Sequence, residues 1–159
     1  MEEIQKLKDI VVKLRSESGC PWDRVQTHMS LKPECIEEAA EVVCSINILD
    51  QTGNADNLKE ELGDLLLQVM FHAVIAEEEG LFTFDDVARG VSEKMIRRHP
   101  HVFSGVVFKS EDERKASWEK IKKAEKEGKQ WTEQYLPAAF VEARELIGKA
   151  EERKGYDKR

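Results

Sequence analysis

Cysteine is scarce in this chain of 159 residues: Cys20, Cys35 and Cys44 are all there is, and no two stand at CxxC spacing. An odd number of thiols without that spacing argues against a disulfide framework or a zinc knuckle and fits reduced cysteines. Cys20 sits beside Pro21 with no base nearby, so a small turn residue is its expected role rather than a nucleophile. No apolar run approaches the length of a membrane span, and the opening MEEIQKLKDI is too charged for a secretory signal, so a cytoplasmic protein without membrane partners is expected. Cations are in the minority, 25 Lys and Arg against 32 Asp and Glu, and the net charge of −7 argues against duplex nucleic acid as a partner. It leaves room for a small anion bound through a metal. No Glu-x-x-His occurs, which removes the usual signature of a ferritin-like di-iron site. Internal repeats and low-complexity segments are missing too. Nine glycines and four prolines are few, while Glu, Lys, Leu and Ala are common, and together these predict an all-helical domain.

What the chain does have is concentrated between Ile36 and Ala73, IEEAAEVVCSINILDQTGNADNLKEELGDLLLQVMFHA. Glu38 and Glu41 precede a short polar turn; Glu61 and Asp64 follow it. Residues three apart share a helix face. If the flanking segments are antiparallel helices, Glu38 pairs in level with Asp64 and Glu41 with Glu61, since both pairs are centred on position 51. Four carboxylates at one level of a hairpin raise each other's pKa unless a cation lies between them. An oxygen-only ligand set of that charge selects a hard divalent ion, Mg²⁺ or Mn²⁺ before Zn²⁺. A lone ExxE is common on solvated helix faces. Two features set this one apart: Asp64 is embedded in the apolar run LGDLLLQVMF, and no Lys or Arg lies between Glu60 and Glu77 to pair with it locally.

Around this hairpin the spacing predicts a first amphipathic helix over residues 2–17, ending before Gly19. SGCPWD is then a turn that carries Trp22, either a lid on the core or a stacking surface for a ligand. Ser30 is placed to cap a second helix over about 31–49, with Ile36, Ala39, Ala40, Val43 and Ile46 as its packing stripe. The third helix, about 57–79, is apolar around much of its circumference, which implies burial inside a bundle or in a subunit interface. His72 reads as a hydrogen-bonded core histidine. TFDDVARGVSEKMIRRH forms a fourth helix whose Lys94 and Arg98 share a face, either a solvated basic face or, if the helix packs against the hairpin, one suited to a phosphate chain. HPHVFSGVVFKS is expected to be irregular with a short extended excursion. A highly charged helix starts near Glu111, with Trp118 and Ile121 as a thin apolar edge and Lys122 one turn after Trp118, and a last amphipathic helix with Phe140, Leu146 and Ile147 follows Pro137.

GCPWDRVQTHMSL, IEEAAEVV, EELGDLLLQVMFHA, EKMIRRHPHVF and WEKIKKAEK, in this order, resemble the MazG family of nucleoside triphosphate pyrophosphohydrolases over nearly the whole chain. The resemblance implies an all-α helical bundle built on the antiparallel hairpin: one domain over 1–159, its core over about 1–105, with a peripheral charged helix and C-terminal helix over about 109–155. It implies a homodimer or higher homo-oligomer and Mg²⁺ as cofactor, with Mn²⁺ as a substitute. The implied reaction is hydrolysis of (deoxy)nucleoside triphosphates at the α-phosphorus to the monophosphate and pyrophosphate, with broad or house-cleaning specificity. Carried over by motif, the metal ligands are Glu38, Glu41, Glu61 and Asp64. By the same carry-over Lys94, Arg98, Trp118 and Lys122 contact the substrate. The chemistry itself then needs Glu37 or Glu38 to handle the water, and Trp22 is a weaker choice for a contact to the base. Two positions depart from the family pattern, Ala40 where tyrosine is frequent and Cys35 where a larger apolar residue is usual, so packing there is expected to differ. Longer family members carry two tandem copies of the domain; one copy is present in this chain. The alternative is a non-catalytic helical module that binds nucleotide or a protein partner and retains the fold.

Overall fold

The computed structural model describes residues 2–156, and among them every regular element is helical. The α-helices are α1 (Glu2–Arg15), α2 (Pro21–Arg24), α3 (Lys32–Thr52), α4 (Asp56–Glu78), α5 (Phe84–Arg98), α6 (Pro100–Phe103), α7 (Glu111–Lys126) and α8 (Leu136–Lys154), with a 3-10 turn over Gln130–Tyr135 before α8. The all-α class expected from composition is the one observed. The chain divides into two compact units, one formed by Met1–Phe84 with Phe140–Arg159, the other by Asp85–Ala139.

In the first unit, α3 packs along α4, and α1 packs on α4 and on the short α2. The hairpin turns at Gly53, whose φ of 74° is one that favours glycine, and its N–H closes on Leu49 O at 2.8 Å. Asn54 Oδ1 then accepts from the N–H of Asp56, ordering the first turn of α4. A polar seam fixes the register of the two helices. The hydroxyl of Ser45, 1% exposed, donates to Glu41 O and accepts from Asn57 Nδ2, which also donates to Glu61 Oε1 at 2.7 Å.

Burial is concentrated at the far end of α4, where Met70, Phe71, Val74 and Ile75 meet Val11 of α1 and Leu31, with Leu7, Leu67 and Phe84 packed against them. This apolar cluster is what holds α4 in place. Arg15 ties the same end together: its guanidinium donates to both oxygens of Glu78 and to the carbonyls of Asp23 and Gln26, and its side chain is 6% exposed. Gly19 is required by close approach, since a Cβ there would lie 2.2 Å from Leu14 O.

Three expectations are corrected here. Ser30 does not cap α3; its hydroxyl donates to Gln26 Oε1 at 2.7 Å and it exchanges bonds with Thr27, so loop partners take the oxygen a cap would use. The stripe proposed for α3 is not packed in the chain by itself: Ala39 and Ala40 are exposed, as are Val43 and Ile46, and Leu62 of α4 is exposed as well. Nor does 99–110 form an extended excursion. Pro100 opens the short α6, and no strand occurs among the described residues.

The second unit contains most of α5, then α6, α7 and the 3-10 turn, and none of these elements has a buried residue. Ser110 caps α7 by accepting from Glu113 N, while the Glu113 carboxylate reaches back to the N–H of Lys109 at 2.7 Å. Arg98 of α5 is bound to Glu125 of α7 through two bonds, the shorter 2.6 Å.

Candidate metal and phosphate sites

The first site is built where the hairpin brings α3 and α4 side by side. Glu38, Glu61 and Asp64 each contribute a carboxylate oxygen to a group whose members all lie within 4.8 Å of one another. Burial, then the charges of Asp64, Glu41 and Glu61, push the Glu38 carboxyl up from the ordinary 4.5 to about 7. Three oxygens so close, one of them made reluctant to ionise by its neighbours, fit a hard divalent ion of the Mg²⁺ or Mn²⁺ type. One turn beyond Asp64, Gln68 is 8% exposed and its Oε1 has no hydrogen-bond partner among the described residues.

Glu41, the fourth expected ligand, is not among the converging oxygens. Its Oε1 is paired with Lys154 of α8, and Glu37 is paired with Lys154 at 2.8 Å and with Arg153. The Lys154 ammonium, then Arg153, hold the Glu37 carboxyl below the ordinary carboxylate value against the opposing effect of burial. His72, half-buried, has the environment expected of a core histidine: Nδ1 lies 2.7 Å from His28 Nδ1, and Nε2 lies 3.2 Å from Cys35 Sγ. Burial and the adjacent His28 lower its pKa, while burial raises that of the Cys35 thiol. Trp22 is 59% exposed on α2, so it is no lid on the core, and it joins neither constellation described here.

The second site lies within the other unit. Lys94, Arg97 and Arg98 of α5 and Lys122 and Lys126 of α7, together with Lys129, line a cleft of about 640 Å³ whose one acidic wall is Glu125. Glu125 bridges Arg98 and Arg97, and the two guanidinium groups, Arg98 first, lower its pKa. The Arg98 guanidinium also lies over the indole of Trp118, 5.2 Å from the ring centroid, and His99 meets that ring edge-on at 5.1 Å. Lys94, Arg98 and Lys122 are therefore brought to one cavity, with Trp118 in contact through Arg98. Such a cleft presents the forked and point cations that bind phosphate oxygens.

Residues 26–103 match the MazG nucleotide pyrophosphohydrolase domain. The chain is 52% identical over 125 residues to the "Nucleoside triphosphate pyrophosphohydrolase/pyrophosphatase MazG" of Thermotoga maritima, covering 77% of this chain and 45% of that one. Residues 26–103 of this chain belong to the MazG family. It is also 44% identical over 127 residues to the "Nucleoside triphosphate pyrophosphohydrolase" of Escherichia coli K12, covering 79% of this chain and 47% of the relative. An uncharacterized Bacillus subtilis protein, YabN, is 52% identical over 124 residues, 78% of this chain and 24% of that protein. The chain thus spans less than half the length of these three relatives.

Within the MazG-matched segment lie all four expected ligands together with Lys94 and Arg98; Trp118 and Lys122 lie beyond it. Sequence reasoning did not single out Arg97, Glu125, Asn57, Arg153 or Lys154. Arg97 had a signal in the pair RR of EKMIRRHPH, and Asn57 stands one turn before Glu61. Arg153 and Lys154 had none, because their partners are 116 and 113 residues away.

Proposed function

We propose that the chain hydrolyses (deoxy)nucleoside triphosphates at the α-phosphorus, releasing the nucleoside monophosphate and pyrophosphate, with Mg²⁺ or Mn²⁺ as cofactor. The observation that carries this reading is the convergence of Glu38, Glu61 and Asp64 from the two arms of one hairpin. These three, with Glu41, would hold the divalent ion. Bound there, such an ion supplies Lewis-acid polarisation of phosphate oxygens and a lowered pKa for water. Of the two carboxylates expected to handle the attacking water, Glu37 is engaged by Arg153 and Lys154. Glu38 is the one of the two that lies in the converging group, and orientation and proton acceptance are assigned to it. Lys94, Arg98 and Lys122 are assigned to the phosphate oxygens, where they offset charge building on the departing pyrophosphate. Trp118 steadies Arg98 from the face of its ring.

Names carried by the Thermotoga and Escherichia relatives support this substrate class. The test is incubation with each common and modified triphosphate plus Mg²⁺ in ¹⁸O water. The expected products are pyrophosphate and a monophosphate carrying the label. Orthophosphate as first product, or label in pyrophosphate, means attack at another phosphorus. Nucleotide binding without any turnover favours the non-catalytic module instead.

We also propose that the apolar face left open on the hairpin is covered by a second copy of the chain. Val43, Ile46 and Leu62 of the hairpin are 60%, 49% and 49% exposed, and apolar side chains so open to solvent support self-association. Light scattering should give at least a dimer mass, and Ile46→Asp should lower it. Cytoplasmic residence fits the same picture; no described helix is long and apolar enough to cross a membrane.

A further inference from the structure

The end of α8 is tied to the acidic hairpin by side chains whose charge competes with the function assigned to that hairpin. Glu142 receives Lys32 at 2.8 Å near the start of α3, and further on Arg153 and Lys154 reach Glu37 and Glu41. These ion pairs, and not close packing of the two helices, are what join α8 to α3. Glu37 is 11% exposed at its side chain, and Lys154 is 32% exposed, so this contact is partly withdrawn from solvent. Glu41 is the decisive residue. It belongs by spacing with the three converging carboxylates, yet its Oε1 accepts from Lys154 and is not one of the converging oxygens. An ammonium and a divalent ion repel each other at such range, and one carboxylate oxygen cannot serve both in full.

We propose that Arg153 and Lys154 form an internal cationic latch: seated, it holds Glu41 and Glu37 away from the metal-binding group, and loading of the divalent ion displaces Lys154 from Glu41. This rests on the reading of Glu38, Glu61 and Asp64 as a metal site. The latch makes occupancy of the site and docking of the last turn of α8 mutually exclusive, so anything that draws α8 off the hairpin raises affinity for the metal, and the metal in turn frees α8.

The experiment is a Mn²⁺ titration of the full chain, followed by electron paramagnetic resonance of the free ion, for wild type, Lys154→Gln, Lys154→Arg and the double variant Arg153→Gln/Lys154→Gln. The expected result is binding about fivefold tighter or more in Lys154→Gln, tighter still in the double variant, and close to wild type in Lys154→Arg. Hydrogen exchange over residues 150–156 should quicken when wild type takes up Mn²⁺. Equal or weaker binding by Lys154→Gln, with wild type binding normally, overturns the latch and leaves the metal reading standing. No Mn²⁺ binding by wild type or any variant overturns both. Asp64→Asn marks the difference, since it should lose binding whether or not Lys154 is present.

Discussion

The two units solve opposite electrostatic problems with different means. In the first, like-charged carboxylates are gathered on two helices that are locked by a buried apolar cluster and by the Ser45–Asn57–Glu61 seam. In the second, like-charged Lys and Arg side chains are gathered on helices with no buried residue, and Glu125 pairs directly with Arg97 and Arg98. The difference teaches where each site draws its order. Repulsion among Glu38, Glu61 and Asp64 is borne by packing some turns away, so that site keeps its geometry when charges are screened. Order in the basic cleft comes largely from ion pairs, which salt weakens.

The strongest way to break this comparison is at Asp64. Asp64→Asn should lower the rate of pyrophosphate release by roughly 10³-fold while leaving the circular dichroism spectrum in place, because the loss is one of ligand charge and not of packing. Met70→Ala attacks the packing itself, at a residue that is fully buried. It should cost about 3 kcal/mol in denaturant unfolding. Arg98→Ala tests the other unit: kcat/KM should fall about 10²-fold, with little change in Mn²⁺ binding, if phosphate recognition and metal binding are separate tasks. Glu125→Gln should have a smaller effect in the reverse direction, lowering KM by roughly twofold to fivefold by freeing two guanidinium groups, and the gain should shrink in high salt.

The smallest effect sharpens the account of Glu38. Its folded carboxyl titrates near 7 against an ordinary 4.5, so the metal-free fold binds that proton more tightly than the unfolded chain does. Its contribution to stability is therefore greatest below about 4.5 and is lost as pH rises through about 7. In chelator, the melting temperature of Glu38→Gln should overtake that of wild type as pH rises across that window, and a gap that stays constant with pH would show that Glu38 does not feel its neighbours.

The hairpin was legible in the sequence because its test needs only the helical period and the position of a turn: equal midpoints for Glu38–Asp64 and Glu41–Glu61 place those residues level whatever else surrounds them. The sharing of one cleft by Lys94, Arg98 and Lys122 came through family motifs, since a basic helix face alone is as often solvated. Ser30 failed as a cap because Gln26 and Thr27 compete for the same hydroxyl. Val43 and Ile46 have helical periodicity, but periodicity says that a face is apolar and not what covers it. The partners of Glu37 and Glu41 were beyond reach for a different reason. An ion pair closing across more than a hundred residues leaves no local pattern, so helical spacing puts Glu41 with the metal ligands and gives no sign that Lys154 of α8 meets its charge.

The most direct measurement is the anomalous difference map of crystals grown with Mn²⁺. The account predicts a peak roughly 2.0–2.3 Å from carboxylate oxygens of Glu38, Glu61 and Asp64, with Lys154 turned away from Glu41. A map with Mn²⁺ bound elsewhere and those three carboxylates bare would contradict it.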